Sequence, residues 1–268
     1  MLRTVSLVLA FVLNFTYSYE LRAWESVIFP SARLYEKDTD TQSIDGYLFK
    51  PEGSGPFPAV VLLHHNSGVT EHLTEDWSEY LTGLGYAVLV PRSNESRGIE
   101  RGTRGSPNSR FLNLMKDGYG ALDALAERPD INGDAVAVIG FSLGANAINQ
   151  IMYGWKLRNL SGREFKAAIP LYGKCQTMKS GYDPNVNVPI LQIIPELDNF
   201  ASRADQCIDL NKLWGMEILI LKDAHHAFDN PLVSGRTDGG GNYMEYSAEA
   251  TVEAKAAILE FLIKHLGK

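Results

Sequence analysis

A serine lies between closely spaced glycines in the segment Gly140-Phe141-Ser142-Leu143-Gly144. The apolar run 135–139 comes directly before this segment, and a pattern typical of a helix follows it. A serine at such a strand-to-helix turn presents its hydroxyl for attack, and small flanking residues avoid collisions with the neighbouring strand and helix. The segment therefore predicts a nucleophile, Ser142, with the backbone N–H of Leu143 placed to bind an oxyanion. A glycine-rich turn without chemistry is the alternative interpretation.

Two later predicted strands end in segments that carry the other groups a serine nucleophile needs. The first is followed by Glu196 and Asp198, and the second by Asp223, His225 and His226. A serine hydroxyl requires a base, and a carboxylate must orient that base. The order serine, aspartate, histidine along the chain is that of α/β-hydrolases, which favours Asp198 as the acid. The residues alone leave the base open between His225 and His226.

A further polar segment, His64-His65-Asn66-Ser67-Gly68, follows the first predicted core strand. The backbone N–H of His65 or Asn66 is expected to be the second oxyanion donor. The alternative is a turn whose histidines only pack. The two histidine pairs are a weak zinc candidate, because adjacent residues on a strand point to opposite sides and no His-Glu-x-x-His motif exists. The sequence predicts no metal and no other cofactor.

Arginines are frequent in the glycine- and serine-rich segment 92–110, which follows a predicted strand. Arg97 and Arg101 are candidates to bind a substrate carboxylate, and His225 is a further candidate substrate contact. The alternative is a solvated surface loop, because arginine side chains are mostly exposed.

Strand and helix patterns alternate along the chain in a way that places these segments at strand ends. An antiparallel pair is predicted at 27–35 and 44–49, and buried parallel strands at 59–63, 86–90, 135–139, 167–171, 189–194 and 217–221. Helices are predicted at about 75–84, 111–127, 142–155, 202–214 and 247–266. This order predicts an α/β fold, a mostly parallel central sheet with helices on both faces.

The first eighteen residues have the pattern of a secretory signal peptide, with a positive start, an apolar stretch and small residues before Tyr19. We therefore expect a signal peptide at 1–18, one domain at 19–268 and export to the periplasm or the medium. An uncleaved anchor or a buried first strand is the alternative. In an oxidising compartment an even pair of cysteines favours a disulfide, here Cys175 with Cys207, over two separate buried thiols.

The composition is that of an ordinary globular protein. The chain has 268 residues, 45% of them hydrophobic, and 25 Lys and Arg against 32 Asp and Glu give a formal net charge of -7. These values exclude disorder, and the absence of a long basic run disfavours nucleic acid as a partner. No stable membrane association is expected after removal of the signal peptide, and the oligomeric state is not readable from the sequence.

The chain resembles the dienelactone hydrolase family of α/β-hydrolases. The resemblance rests on Gly140–Gly144, on the segments 196–200 and 224–228, and on the strands 59–64 and 85–91. It spans roughly residues 43–265. In the family the base occupies an Ala-x-His-x-Phe context, so the resemblance implies His226 as the base and Asp198 as the acid.

Two further implications follow from this resemblance. Secreted members are similar around Cys175 and Cys207, which implies the disulfide. The founding members carry cysteine as the nucleophile, whereas this chain has Ser142, which favours a more general ester hydrolase over dienelactone as the substrate.

The function predicted is cleavage of carboxylic esters or lactones of small molecules through a serine–histidine–aspartate triad and an acyl-enzyme. The other hypotheses are a peptidase, a carbohydrate acetyl esterase of the same fold, and a non-catalytic binding protein with a relic triad.

Overall fold

The structure is a computed structural model that describes residues 24–34, 38–39, 41–100, 107–152, 162–175, 188–200, 207–209, 215–237 and 241–267. The predicted signal peptide at 1–18 and the residue Arg101 lie outside these ranges. In the described part of the chain, no helix is both long enough and apolar enough to cross a membrane.

Strands and helices alternate through the described chain. The strands are β1 (Glu25–Pro30), β2 (Ser43–Phe49), β3 (Phe57–Leu63), β4 (Ala87–Pro91), β5 (Ile131–Phe141), β6 (Ala167–Leu171), β7 (Leu191–Pro195), β8 (Glu217–Leu221), β9 (Arg236–Thr237) and β10 (Tyr243–Met244). The α-helices are α1 (Ser78–Gly83), α2 (Pro107–Ala126), α3 (Leu143–Ala147) and α4 (Ala248–Leu266). Single π-helical turns precede α1 at His72–Trp77 and follow α3 at Ile148–Met152. Of the helix predicted at 202–214, residues 207–209 are described, and they are helical.

Eight strands form one sheet in the order β1-β2-β4-β3-β5-β6-β7-β8. The pairs β1–β2 and β2–β4 are antiparallel, and every pair from β4 to β8 is parallel. Strand β3 lies at the centre, where Val60 pairs with Val88 on one side and with Ala137 on the other. The predicted antiparallel start and parallel series are therefore both confirmed.

Helices cover both faces of the sheet because the central strands are apolar on both faces. Leu63 belongs to a core cluster with Leu114 of α2, whereas its neighbour Leu62 belongs to a second cluster with Leu81 of α1 and Ile258 of α4. Successive side chains of a strand point to opposite faces, so α2 packs on one face and α1 and α4 pack on the other. This arrangement confirms the predicted fold class.

Cys175 and Cys207 form a disulfide, as the sequence predicted. Both residues are fully buried. Cys175 lies four residues after the end of β6, so the bond ties the carboxyl end of that strand to the segment that follows β7.

Candidate active site

Ser142 occupies the sharp turn between β5 and α3. Its backbone has φ 50° and ψ -99°, a conformation that residues with a Cβ rarely adopt. The turn is fixed by two backbone hydrogen bonds: the Ser142 N–H donates to Leu171 O over 3.1 Å, and the Asn146 N–H donates to Ser142 O over 2.9 Å. Strain of this kind persists where the surrounding structure enforces it, commonly at functional sites.

The two glycines of this turn are required by the close approach of neighbouring backbone. A Cβ on Gly140 would lie 2.5 Å from the carbonyl carbon of Gly144, and a Cβ on Gly144 would lie 2.3 Å from Leu63 O. Both distances are far below van der Waals contact, so a larger residue at either position would displace α3 or β3. The glycines therefore allow the helix to begin directly after Ser142.

His226 and Asp198 extend from Ser142 in one hydrogen-bonded chain. The Nε2 atom of His226 lies 3.0 Å from Ser142 Oγ, and its Nδ1 atom lies 2.8 Å from Asp198 Oδ2. The second carboxylate oxygen, Oδ1, accepts the backbone N–H of Phe200 over 2.8 Å. His226 and Asp198 are each only 5% exposed, so water competes little for these bonds.

These three residues meet because they follow β5, β7 and β8, whose carboxyl ends lie at one edge of the parallel sheet. The segment around His226 is also held by the start of α4. The backbone N–H of Ser247 and the hydroxyl of Thr251 both donate to Phe228 O, over 2.8 Å and 3.2 Å.

Two aromatic rings hold the imidazole of His226, and the sequence analysis identified neither. The ring of Phe200 stacks on His226 at 4.3 Å between centroids, and the ring of Tyr172 packs edge-on at 4.7 Å. Both follow the carboxyl ends of strands, β6 for Tyr172 and β7 for Phe200. That position is the signal that could have found them, since it is shared with Ser142 and His226.

The segment after β3 is fixed from two sides. The carbonyl of His65 accepts the Nδ1–H of His64 over 2.7 Å and the backbone N–H of Gly68 over 3.1 Å. On the other side, the guanidinium of Arg110 donates to Asn66 Oδ1 over 2.6 Å and to Asn66 O over 3.2 Å. Arg110 was not singled out as a site residue in the sequence analysis, and it acts here as a support for Asn66.

A cavity of about 220 Å³ opens beside Ser142. His65, Asn66, Ser67, Tyr172, Phe200, His226, Ala227, Asn230, Val233 and Met244 complete its lining. Most of this wall is apolar, and His65 and Asn66 lie on it together with the serine hydroxyl. Leu143, the first residue of α3, directly follows Ser142, so its N–H is one of the helix-start N–H groups that have no acceptor within the helix.

A model of the dienelactone hydrolase family matches residues 44–266, and this range contains every residue of the site described above. The chain belongs to the dienelactone hydrolase family. Esterase EstD from Thermotoga maritima is 30% identical to this family member over 117 residues. That match covers 41% of the chain and 27% of EstD, so only a minor part of that relative is matched.

Solved structures of similar proteins agree with this family's fold. The dienelactone hydrolase-like promiscuous phosphotriesterase P91, from metagenomic libraries, superimposes with a TM-score of 0.66 at 19% identity, covering 91% of this chain and 100% of P91. The Pyrococcus furiosus esterase Pf2001 superimposes with a TM-score of 0.62 at 16% identity, covering 91% of this chain and 94% of that protein. At such identities the likeness concerns the fold alone, which is the α/β-hydrolase fold.

Two residues that were expected to bind the substrate, Arg97 and His225, contact other side chains instead. The guanidinium of Arg97 donates to both carboxylate oxygens of the buried Asp117, over 2.5 Å and 2.8 Å. His225 is not among the residues that line the cavity; its ring packs edge-on against Tyr243 and its Nε2 atom lies 3.7 Å from Glu245. The structure therefore does not support a substrate-binding role for Arg97 or His225.

The two other acidic residues that follow β7 and β8, Glu196 and Asp223, contact each other. Glu196 accepts the backbone N–H of Asp223 over 3.1 Å, so these two residues tie the segment after β7 to the segment after β8. Among the described residues, no group of three or more His, Cys, Asp or Glu side chains is arranged to hold a metal ion.

We expect His65 to make the stability of the protein depend on pH. Burial, with the nearby His72 and His64, lowers the pKa of His65 to about 3. The ring is bound in its neutral form, since Nδ1 accepts the Ser67 N–H over 3.3 Å and Nε2 lies 3.2 Å from Thr70 Oγ1. In the unfolded chain the pKa is about 6.5, so between pH 6.5 and 3 the unfolded state binds more protons. The stabilisation is complete above pH 6.5 and is lost as pH falls towards 3.

The measurement is urea unfolding of His65→Gln and of the parent protein at pH 7, 5.5 and 4.5. The variant should lose less of its free energy of unfolding between pH 7 and pH 4.5 than the parent does. His225→Gln is the matched control, because it makes the same change at a histidine that does not line the cavity. Identical pH dependence in His65→Gln and the parent would contradict the assignment of a neutral, half-buried His65.

Proposed function

We propose that the protein is a serine hydrolase that cleaves carboxylic esters or lactones of small molecules. The observation that carries the proposal is the hydrogen-bonded chain from Ser142 through His226 to Asp198 at the wall of a cavity. A serine activated by an oriented histidine is the arrangement that acyl transfer requires. Membership of the dienelactone hydrolase family and the similarity to Esterase EstD support the same reaction class.

The first half of the reaction forms the acyl-enzyme. The Oγ atom of Ser142 attacks the ester carbonyl carbon while its proton moves to His226 Nε2. The bond between that carbon and the alcohol oxygen then breaks, and the proton on Nε2 passes to the leaving alcohol. Asp198 accepts the Nδ1–H throughout, which holds the ring in the required tautomer and stabilises the imidazolium.

The negative charge that develops on the carbonyl oxygen is assigned to two backbone donors. One is the N–H of Leu143 at the start of α3, and the other is an N–H of His65 or Asn66 on the facing loop. Loss of one such donor costs about 3 kcal/mol of transition-state stabilisation in comparable enzymes. The support of Asn66 by Arg110 fixes this loop before the substrate binds.

The second half returns the enzyme to its starting state. A water molecule gives a proton to His226 Nε2 and bonds to the acyl carbon. The bond between that carbon and Ser142 Oγ breaks, and the proton on Nε2 returns to Oγ. An ester and water thus give an acid and an alcohol, and a lactone and water give one hydroxy acid, with no cofactor in the balance.

We place this reaction outside the cytoplasm, in a mature domain at 19–268 that follows a signal peptide at 1–18. Two observations support this part of the proposal. The first eighteen residues have the signal-peptide pattern, and Cys175 and Cys207 form a disulfide. Disulfides persist in oxidising compartments and are rare in the cytosol.

The test is covalent labelling of the serine together with hydrolysis of simple esters. The protein should hydrolyse p-nitrophenyl acetate, butyrate and octanoate, and phenylmethylsulfonyl fluoride should stop this hydrolysis. Peptide mass analysis should then find one sulfonyl group, on Ser142. A label on another residue, or full activity in completely labelled protein, would contradict the proposed mechanism.

A further inference from the structure

A second cavity lies next to the one beside Ser142. It measures about 310 Å³, and Ser67 lines both cavities. The two cavities differ in character, because the second one is lined by polar side chains that include Asn94 and Glu95. An ester whose carbonyl lies at Ser142 has an acyl half and an alcohol half. The protein has two adjoining cavities of different polarity, one for each half.

Two buried polar atoms on the wall of the second cavity have no hydrogen-bond partner within the described parts of the chain. They are Asn94 Nδ2, a donor, and Glu95 Oε2, an acceptor. Asn94 is only 5% exposed, so water outside the protein does not satisfy its amide. The other carboxylate oxygen of Glu95 accepts the Val69 N–H over 3.1 Å, which fixes the orientation of the carboxylate. Unsatisfied buried groups cost free energy, so such a pair points to a ligand that completes it.

The position of Gly68 keeps the two side chains close to each other and to the loop. A Cβ placed on Gly68 would lie 2.6 Å from Glu95 Oε1 and 3.7 Å from Asn94 Nδ2. Both side chains therefore lie against the same loop, on the wall that Ser67 shares with the first cavity. An alcohol hydroxyl can complete either unpartnered atom, since it donates to a carboxylate and accepts from an amide N–H.

The charges on the described part of this wall disfavour an anionic ligand. Glu95 and Glu100 line the cavity, and the one arginine on the described part of its wall, Arg92, forms an ion pair with Asp45 and lies over the ring of Tyr47. Two carboxylates thus face the space while the guanidinium charge is already compensated. Among the described residues of the wall, a neutral ligand rich in hydroxyl groups meets a donor and an acceptor, whereas a carboxylate meets two like charges.

We propose that the second cavity, lined by Asn94 and Glu95, binds the alcohol half of the ester, and that this half is a neutral polyol such as a sugar. The acyl half then lies in the largely apolar cavity beside Ser142. The inference rests on the proposed ester hydrolysis and specifies its substrate class. Asn94 accounts for one hydrogen bond to the alcohol and Glu95 for another.

The experiment compares two acetate esters that share the acyl group and the size of the alcohol. Methyl 6-O-acetyl-glucopyranoside presents hydroxyl groups, whereas cyclohexylmethyl acetate presents a ring without them. The quantity measured is the ratio of kcat/KM for the sugar ester to kcat/KM for the cyclohexyl ester. We expect this ratio to exceed about 10 in the parent protein, because two hydrogen bonds, one of them to a carboxylate, distinguish the substrates.

Two single substitutions test the two residues separately. Asn94→Ala should lower the ratio about 3- to 10-fold, and Glu95→Gln should lower it about 10-fold. Glu253→Gln, the same acid-to-amide change on the exposed side of α4, is the matched control and should leave the ratio unchanged. Thermal melting of each variant verifies the fold, and Asn94→Ala keeps the test available if Glu95→Gln does not fold.

A second measurement needs no turnover. Saturation-transfer NMR measures the binding of methyl glucopyranoside to the parent protein and to Asn94→Ala. Binding by the parent that weakens in Asn94→Ala supports the proposal. If both esters are hydrolysed with a ratio near 1, and Asn94→Ala leaves that ratio unchanged, the polyol site is wrong while ester hydrolysis stands. If neither acetate nor any p-nitrophenyl ester is hydrolysed, the proposed function itself fails.

Discussion

Ser142→Ala is expected to lower kcat for p-nitrophenyl butyrate by about 10⁶-fold, the effect of removing the nucleophile from serine hydrolases that use an oriented histidine. The hydroxyl lies 3.0 Å from His226 Nε2, and no other described hydroxyl bonds to that atom. KM should change little, because the cavity walls remain in place. The fold should also persist, since alanine and serine carry the same Cβ at the φ of 50° that this turn imposes.

Two companion variants make this result specific. Ser142→Cys keeps a nucleophile at the same position, so its kcat should lie well above that of Ser142→Ala. Ser54→Ala, in the exposed turn between β2 and β3, removes a hydroxyl that lines neither cavity and should retain the parent kcat. Retention of more than about 1% of the parent kcat in Ser142→Ala would show that another group attacks the ester.

The strands and the candidate catalytic residues could be predicted because their signals are local in the sequence. A central parallel strand such as β3 is buried on both faces, so it appears as an unbroken apolar run. The polar residues that directly follow such runs gather at one edge of the sheet whatever the loops between them do. That geometric rule predicts that Ser142, Asp198 and one histidine of the pair His225 and His226 lie together.

Contacts between residues far apart in the chain could not be predicted. Arg97 was expected to bind a substrate because its segment follows β4, yet its charge is compensated by Asp117, twenty residues later on α2. Only the packing of α2 against the sheet brings that carboxylate within reach. The strand-end rule alone leaves the choice between His225 and His226 open for the same reason, since both follow β8 and only His226 contacts Ser142. The resemblance to the family supplied that choice.

A buried carboxylate near His226 is a further feature without a local signal in the sequence. The side chain of Asp229 is fully buried, and its Oδ2 atom accepts the indole N–H of Trp77 over 2.9 Å. The same oxygen lies 3.0 Å from His72 Nε2, and Oδ1 accepts the Tyr172 hydroxyl over 3.0 Å. Burial raises the pKa of Asp229, but the contacts with His72, Trp77 and Tyr172 outweigh it, so the pKa is below its ordinary value.

Asp229→Ala is expected to lower the free energy of unfolding at pH 7 by about 3 to 5 kcal/mol, because it removes a buried carboxylate that Trp77, His72 and Tyr172 share and leaves the Tyr172 hydroxyl buried without its acceptor. Asp76→Ala removes an exposed carboxylate from the π-helical turn beside Trp77 and should change stability by less than about 0.5 kcal/mol. Urea unfolding of both variants and the parent measures the difference.

The pH dependence of this loss separates an ionised Asp229 from a neutral one. A carboxylate whose pKa is lowered by folding stabilises the protein above its unfolded pKa, and this contribution is lost as pH falls through the folded value. The gap in stability between the parent and Asp229→Ala should therefore narrow as the medium is acidified below pH 4. Because Tyr172 packs against His226, the variant should also show a lower kcat at pH 7. A loss of stability below 1 kcal/mol with an unchanged kcat would mean that the site does not depend on this buried charge.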